Sequence, residues 1–554
     1  MRGNDTMSAS SKKKLRAEES ASKLTEKQLS ERKEARKLRI YTIAFGVALA
    51  LMVLAFIWIN VSQSITKAGV REKNTVALTV GEHKINSVEM SYFYIDSINN
   101  FYSQYGSSAA IFGLDTTTPL DQQVIDEESG RTWADDFLES AQGAAQSIYA
   151  STDAASAAGF TLPQDAQDQV DQYGANLDTY ARVYGFSNTD AYLRAMYGNG
   201  ASRDSYMDYY TRNVLASAYQ TEYRSGLNFS DEEIAARDAE DPTAYNSYSF
   251  HQYYLATSRF LTGGTTDENG STTYSDAERA AAEAAAKAAA ASLVSDSITS
   301  VADLDEAIAG LSVNAEATSA ASTAYTDTLA SYLGSTVADW IKDSARKPGD
   351  KTYLASTSTS TADDGSETTR VNGYYVVYFE GASQNTFPLA NVRHILIQYA
   401  GGTTDANGNT TYSDEEKAAA MTAAQEILEQ WKSGDHTEDS FAALATEKSE
   451  DPGSKDNGGL YENVYPGEMV TAFNDWCFDS SRKAGDTGIV ETNYGCHVMY
   501  YSGDSDISYR TYMVTEALRS DAFNQWKDAL LESTAMTPGD SKYIRRDLVL
   551  NSQG

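Results

Sequence analysis

The chain predicts an α+β protein: a transmembrane anchor, a mainly helical domain, and two copies of one α+β module, the first of them degenerate. Three observations carry that prediction. Residues 263–282 read GGTTDENGSTTYSDAERAAA and residues 401–420 read GGTTDANGNTTYSDEEKAAA, a match too long for chance. The echo continues in ADWIKDSARKPGD at 338–350 and NDWCFDSSRKAGD at 474–486. Second, Ile40–Val61 runs for 22 residues without a charge. Third, apolar residues recur at helical spacing before residue 240, and each repeat opens on a short strand-like run that leads through a polar loop to an Ala-rich helix.

Taken in order, residues 1–39 are a basic tail with twelve Lys and Arg against six Asp and Glu. Residues 40–62 form the span, whose uncharged run Ile40–Val61 is, at 1.5 Å per residue, about 33 Å long, enough to cross a hydrocarbon core. Positive charge marks the cytoplasmic side, so the tail stays inside and the rest of the chain is exported, single-pass on an uncleaved anchor. A helical domain over 63–243 opens on a strand, Val76–Gly81. Helical patterns follow at Trp133–Tyr149, Leu177–Tyr184, Thr189–Met196 and Arg203–Tyr223, with breaks at Gly159, Gly185 and Gly198. Ser230-Asp231-Glu232-Glu233 reads as a capping box.

The first module covers 244–387 and the second 388–503. Each begins with a strand (Phe250–Leu255, Val392–Ile397), followed by a polar loop and an Ala-rich helix capped at Ser275–Glu278 or Ser413–Glu416. The loops 267–278 and 405–416 space Asp, Asn and Glu as a calcium loop does, but Thr272 and Thr410 stand where that loop needs glycine. A polar turn plus a helix cap explains the same residues. Residues 504–554 carry Val514, Leu518, Phe523, Trp526 and Leu530 on one helical face, an apolar stripe whose natural partner is the helical domain.

Net charge is −34 overall and +6 before residue 40, leaving −40 on the exported part. That excess argues against nucleic acid as a partner. Two cysteines, Cys477 and Cys496, make no disulfide framework; they read as isolated buried thiols, with pairing left open. HExxH, Walker and G-x-S-x-G motifs are all missing from the sequence, so metalloprotease, NTPase and serine-hydrolase chemistry lack their parts. No metal or cofactor is expected.

What remains is an ordered set: Val392-Arg393-His394-Ile395-Leu396-Ile397, Phe441 to Ala445, Ser449-Glu450-Asp451-Pro452-Gly453-Ser454, Gly458-Gly459, Gly467-Glu468-Met469-Val470 with Phe473, and Thr492 to His497. In order and spacing it resembles the parvulin family of peptidyl-prolyl cis–trans isomerases, and the flanking layout resembles extracytoplasmic foldases of the PrsA and SurA type. The resemblance implies a catalytic polar network of His394, Asp451, Thr492 and His497, and a substrate slot of Met469, Phe473 and Tyr461. Met469 and Phe473, four apart, are expected on one helical face. It further implies a membrane-anchored foldase acting on unfolded exported polypeptides with X-Pro bonds, with 63–243 as chaperone domain and the last helix packing back on it. A non-catalytic holdase or surface scaffold on the same fold is the alternative. The layout suits a Gram-positive bacterium, although PrsA proteins are usually lipoproteins and this chain has no lipidation cysteine.

In the first module Gln252 stands where His394 does, or His251 if the register shifts. Tyr375 replaces His497, and the Asp-x-Gly-Ser and Gly-x-Met blocks have no counterpart. It is expected to be catalytically inert.

Overall fold

The computed structural model describes residues 9–21, 52–53 and 65–550, apart from 269, 316–319, 362–364 and 406–408. Among the described residues no helix is long and apolar enough to cross a membrane. The expected span Ile40–Val61 lies outside them except for Met52 and Val53. Helices and strands are mixed throughout, and the described chain divides into two units.

The first unit takes the residues up to Gly226 together with Phe523 onward. Its strands β1 (Val76–Val80) and β2 (His83–Asn86) turn at Gly81, whose φ of 54° suits glycine. Five helices follow: α1 (Ser87–Tyr105), α2 (Trp133–Ala157), α3 (Gln164–Val183), α4 (Thr189–Tyr197) and α5 (Arg203–Ser225). Side chains fix where several begin. Asn86 accepts from the N–H groups of Val88 and Glu89, and Thr132 with Asp135 forms a capping box. The core holds Tyr92, Phe93, Tyr94, Phe137 and Leu193. The chain's end closes the unit: Met536–Pro538 pairs antiparallel with β1, and Trp526 stacks on Tyr223 with centroids 4.1 Å apart.

The second unit spans Leu227–Ala522. It begins at Leu227, so α6 (Asp231–Glu240), capped by Ser230 and Glu233, groups with the repeats. Here the duplication becomes architecture. In the first copy β3 (Ser247–Ala256), β4 (Thr323–Leu329), β5 (Lys351–Thr361) and β6 (Glu367–Ser383) form an antiparallel sheet in the order β4-β3-β6-β5. In the second, β7 (Pro388–Gln398), β8 (Leu460–Val464), β9 (Thr487–Thr492) and β10 (Gly495–Ser508) take the equivalent order β8-β7-β10-β9.

The Ala-rich helices α7 (Asp276–Ser292) and α8 (Asp414–Lys432) both start on capping boxes. Glu278 and Glu416 use one carboxylate oxygen on that cap and the other on the N–H of Gly264 or Gly402. The polar-turn reading of these loops therefore accounts for the glutamates. Among the described residues no group of metal-binding side chains is found.

Strand alternation in β7 and β10 separates two cores. Ile395, Cys496, Val498 and Tyr500 face α8 and α9 (Glu438–Lys448), while Val392, Met499 and Tyr501 face α10 (Thr471–Cys477). Cys477 and Cys496 are buried and unpaired, one in each core.

One arginine ties the helix that follows the second copy to the start of the first copy and to the linker. Arg510, on the last helix α11 (Tyr509–Ser533), donates to Asp238, to the side-chain oxygen of Asn246 and to the carbonyls of Pro242 and Gln384. Its backbone N–H reaches the carbonyl of Asn385, a buried linker residue at φ 57° that itself donates to the Tyr245 carbonyl. Arg510→Ala should destabilise the second unit by about 2 kcal/mol, since a partly buried carboxylate and three acceptors lose their donor. Thermal unfolding would report this, together with faster proteolysis around 384–387; unchanged melting and cleavage would contradict it.

Candidate active site

β7 and β10 carry His394 and His497 as diagonal neighbours on one sheet face, because His394 lies opposite Met499 and His497 opposite Leu396. Both are buried, 3% and 5% exposed. Their Nδ1 atoms meet at 3.0 Å. His394 Nε2 lies 2.9 Å from Asp451 Oδ2 and 3.0 Å from Ser454 Oγ, while His497 Nε2 lies 2.8 Å from Thr492 Oγ1. Asp451 Oδ2 also accepts from Ser454 Oγ at 2.5 Å and from the Tyr461 hydroxyl at 3.0 Å.

Local sequence sets these positions. Asp451 and Ser454 sit in the turn that leaves α9, with the Gly453 N–H donating to Asp451. The double glycine lets this turn close on the sheet: His394 N–H donates to the Gly459 carbonyl at 2.8 Å, and a Cβ on Gly459 would stand 2.2 Å from the His394 carbonyl oxygen. Gly459 also takes a φ of 73°. Tyr461 comes from the edge strand β8.

The floor is aromatic. Phe473 on α10 sets its ring at 81° and 86° to the two imidazoles, with centroids 5.4 and 5.5 Å away, and is 2% exposed. Met469 and Tyr461 are half-buried against the same apolar cluster. One expectation is corrected here. Met469 does not share a helical face with Phe473, because Pro466-Gly467 makes a turn and α10 begins only at Thr471. Tertiary packing, not helical spacing, brings the two together.

Charge and proton order follow from the contacts. Asp451 is held far below the usual carboxylate range, first by its hydrogen bond to His394 and then by Ser454, against the opposing effect of burial. Tyr461 is pushed up to about 12 by burial and by that carboxylate. His497 is pushed down to about 4, mainly by burial and further by His394. With Asp451 ionised and His497 neutral, His394 donates from Nε2 to Asp451. One chain then runs through the pair: Tyr494 N–H to Thr492 Oγ1, Thr492 hydroxyl to His497 Nε2, and His497 Nδ1–H to His394 Nδ1.

Six of the seven residues named from the sequence, His394, Asp451, Thr492, His497, Tyr461 and Phe473, thus lie in one connected set, with Met469 beside it. Ser454 was absent from that set of names. Its signal was present, as the residue three after Asp451 in a turn whose aspartate needs a local donor. In the first copy, Gln252 pairs with Val377 and Tyr375 with Tyr254, so these occupy the places of His394 and His497. The register does not bring His251 inward; it faces Ser322 and Glu380 instead.

The depressed value of His497 makes a pH prediction. Its folded value of about 4 lies below the ordinary 6.5, so the unfolded chain binds the proton first as pH falls. Stability is complete above pH 6.5 and drains towards pH 4, by roughly 3 kcal/mol at this group. Denaturant unfolding at pH 7 and pH 4.5 should show His497→Gln losing less stability on acidification than the wild type. Equal losses would contradict the buried neutral imidazole.

Residues 374–502 match the family described as the PPIC-type PPIase domain. A foldase, protein PrsA 1 of Listeria innocua, is 32% identical over 112 residues, which is 20% of this chain and 30% of that relative. The chain therefore spans less than a third of the length of this curated relative. A solved PrsA from Bacillus cereus is 24% identical, covering 26% of this chain and 49% of its own, with a TM-score of 0.18. A SurA-like chaperone of Campylobacter jejuni is 27% identical over 26% of this chain and 53% of its own, with a TM-score of 0.15. At these TM-scores the solved structures add nothing to the family match. Residues 374–502 thus match the PPIC-type, parvulin-like peptidyl-prolyl cis–trans isomerase family, and over part of its length the chain is similar to a PrsA foldase.

Proposed function

We propose that the chain is a membrane-anchored foldase working outside the cytoplasm, with the second copy isomerising X-Pro bonds and the first unit holding unfolded chains. The observation that carries the catalytic part is the buried His394–His497 pair, anchored by Asp451 and seated on Phe473. The basic tail and uncharged run Ile40–Val61 support the anchor and the topology. Exposed apolar side chains on the first unit support the holding role: Ile111 is 82% exposed and Val124 54%.

Isomerisation needs neither nucleophile nor metal. Its barrier of about 18–20 kcal/mol is lost amide resonance, so a site works by binding the twisted amide better than either planar form. Phe473, Met469 and Tyr461 offer the prolyl ring an apolar slot. The imidazole pair supplies polar groups whose orientation is fixed by Asp451 and Thr492. Fixed dipoles in a buried site stabilise the rotated carbonyl without reorganising.

Exchange spectroscopy on a short X-Pro peptide with the full chain tests this. Phe473→Ala and Asp451→Asn should each slow exchange about tenfold or more, roughly 1.4 kcal/mol of transition-state binding. Gln252→Ala in the first copy should change nothing. A folded wild-type chain without activity would favour the non-catalytic holdase. Phe473→Ala should still suppress aggregation of a denatured protein; loss of that suppression would place the holding role in the second copy.

A further inference from the structure

A groove of about 1520 Å³ runs between the two copies within the second unit, separate from the imidazole site. It exceeds the roughly 300–1,000 Å³ of small-molecule pockets, so its size suits a polypeptide segment. Its walls are aromatic. Tyr332 comes from the first copy and is 80% exposed, Phe387 from the linker, and Tyr465 stacks on Tyr512 at 4.7 Å. Its charge is one-sided: Asp327, Asp475, Asp479 and Asp504 line it, and Arg482 is the sole Lys or Arg among the lining residues.

Arg482 is already engaged. Its guanidinium lies over Trp476 at 4.0 Å and approaches Asp479 at 3.7 Å. The groove floor is also preformed, because Asn385, which lines it, is buried and locked between Tyr245, Ser247 and Arg510. One helix separates groove from site: on α10, Phe473 meets the imidazoles while Asn474 and Asp475 line the groove.

We propose that this groove is a second client-binding site, taking extended polypeptide segments that carry Lys or Arg together with aromatic residues, without need of proline. This rests on the foldase reading and names the client chemistry. Acidic walls attract cationic segments and aromatic walls stack on side chains and on guanidinium groups. A segment held there would keep a neighbouring X-Pro bond of the same client close to Phe473.

The test uses the purified full chain and a fluorescein-labelled, proline-free peptide containing Lys, Arg, Tyr and Trp, read by anisotropy. Binding should occur, weaken with salt, and weaken about tenfold when the Lys and Arg of the peptide become Glu. Asp327→Lys and Tyr332→Ala, both on the first copy, should each weaken binding severalfold while isomerisation of a short X-Pro peptide stays at the wild-type rate, which also reports that the variants fold. No binding by the wild type, or binding that neither variant alters, would overturn the proposal. The assays fail separately: a wild-type chain that binds the peptide through Asp327 and Tyr332 yet isomerises nothing would overturn the isomerase and keep the groove.

Discussion

The Nδ1-to-Nδ1 contact of His394 and His497 is the constraint to which the second copy is fitted. Two imidazoles meeting at 3.0 Å through equivalent nitrogens can hold only one proton between them. Burial keeps His497 neutral, and the ionised Asp451 fixes which His394 nitrogen carries hydrogen. The sheet register must then bring the rings together as diagonal neighbours, the turn after α9 must deliver Asp451 and Ser454, and Gly459 must let that turn touch the strand. The unpaired alternative is costly, since a buried polar nitrogen without a partner loses about 1–3 kcal/mol.

Duplication provides an internal comparison. Both copies keep the strand order, the Thr-rich hairpin and the capped helix whose glutamate also binds a glycine N–H. These features stabilise the frame and owe nothing to the imidazole pair. In the first copy the frame persists with Gln252 and Tyr375 at the key places, and Tyr375 packs on Tyr254 at 4.8 Å. The shared frame therefore does not depend on the imidazole pair.

Much of this was legible in the sequence, for identifiable reasons. The α+β class followed from periodicity, the twin sheets from the near-identical segments, and the helix starts at Ser230, Ser275 and Ser413 from capping boxes, all short-range signals. Met469 and Phe473 stand four apart without sharing a helical face because α10 begins only at Thr471, a start that no capping side chain marks in the sequence. Ser454 was overlooked because its value lies in two contacts, to Asp451 and His394, that only folding brings together. Arg510 gave no signal at all. Its acceptors at 238, 242, 246 and 384 are more than a hundred residues away, beyond any local pattern.

The imidazole pair can be observed directly, because only five histidines occur in the chain. Nitrogen-15 spectra of the histidine-labelled protein would assign the proton on each ring nitrogen and follow it with pH. The account predicts that near neutral pH one of the two facing Nδ1 atoms bears hydrogen and the other accepts it, and that His497 stays neutral until about pH 4. Two protonated Nδ1 atoms at neutral pH, or a His497 titrating at the ordinary 6.5, would contradict it.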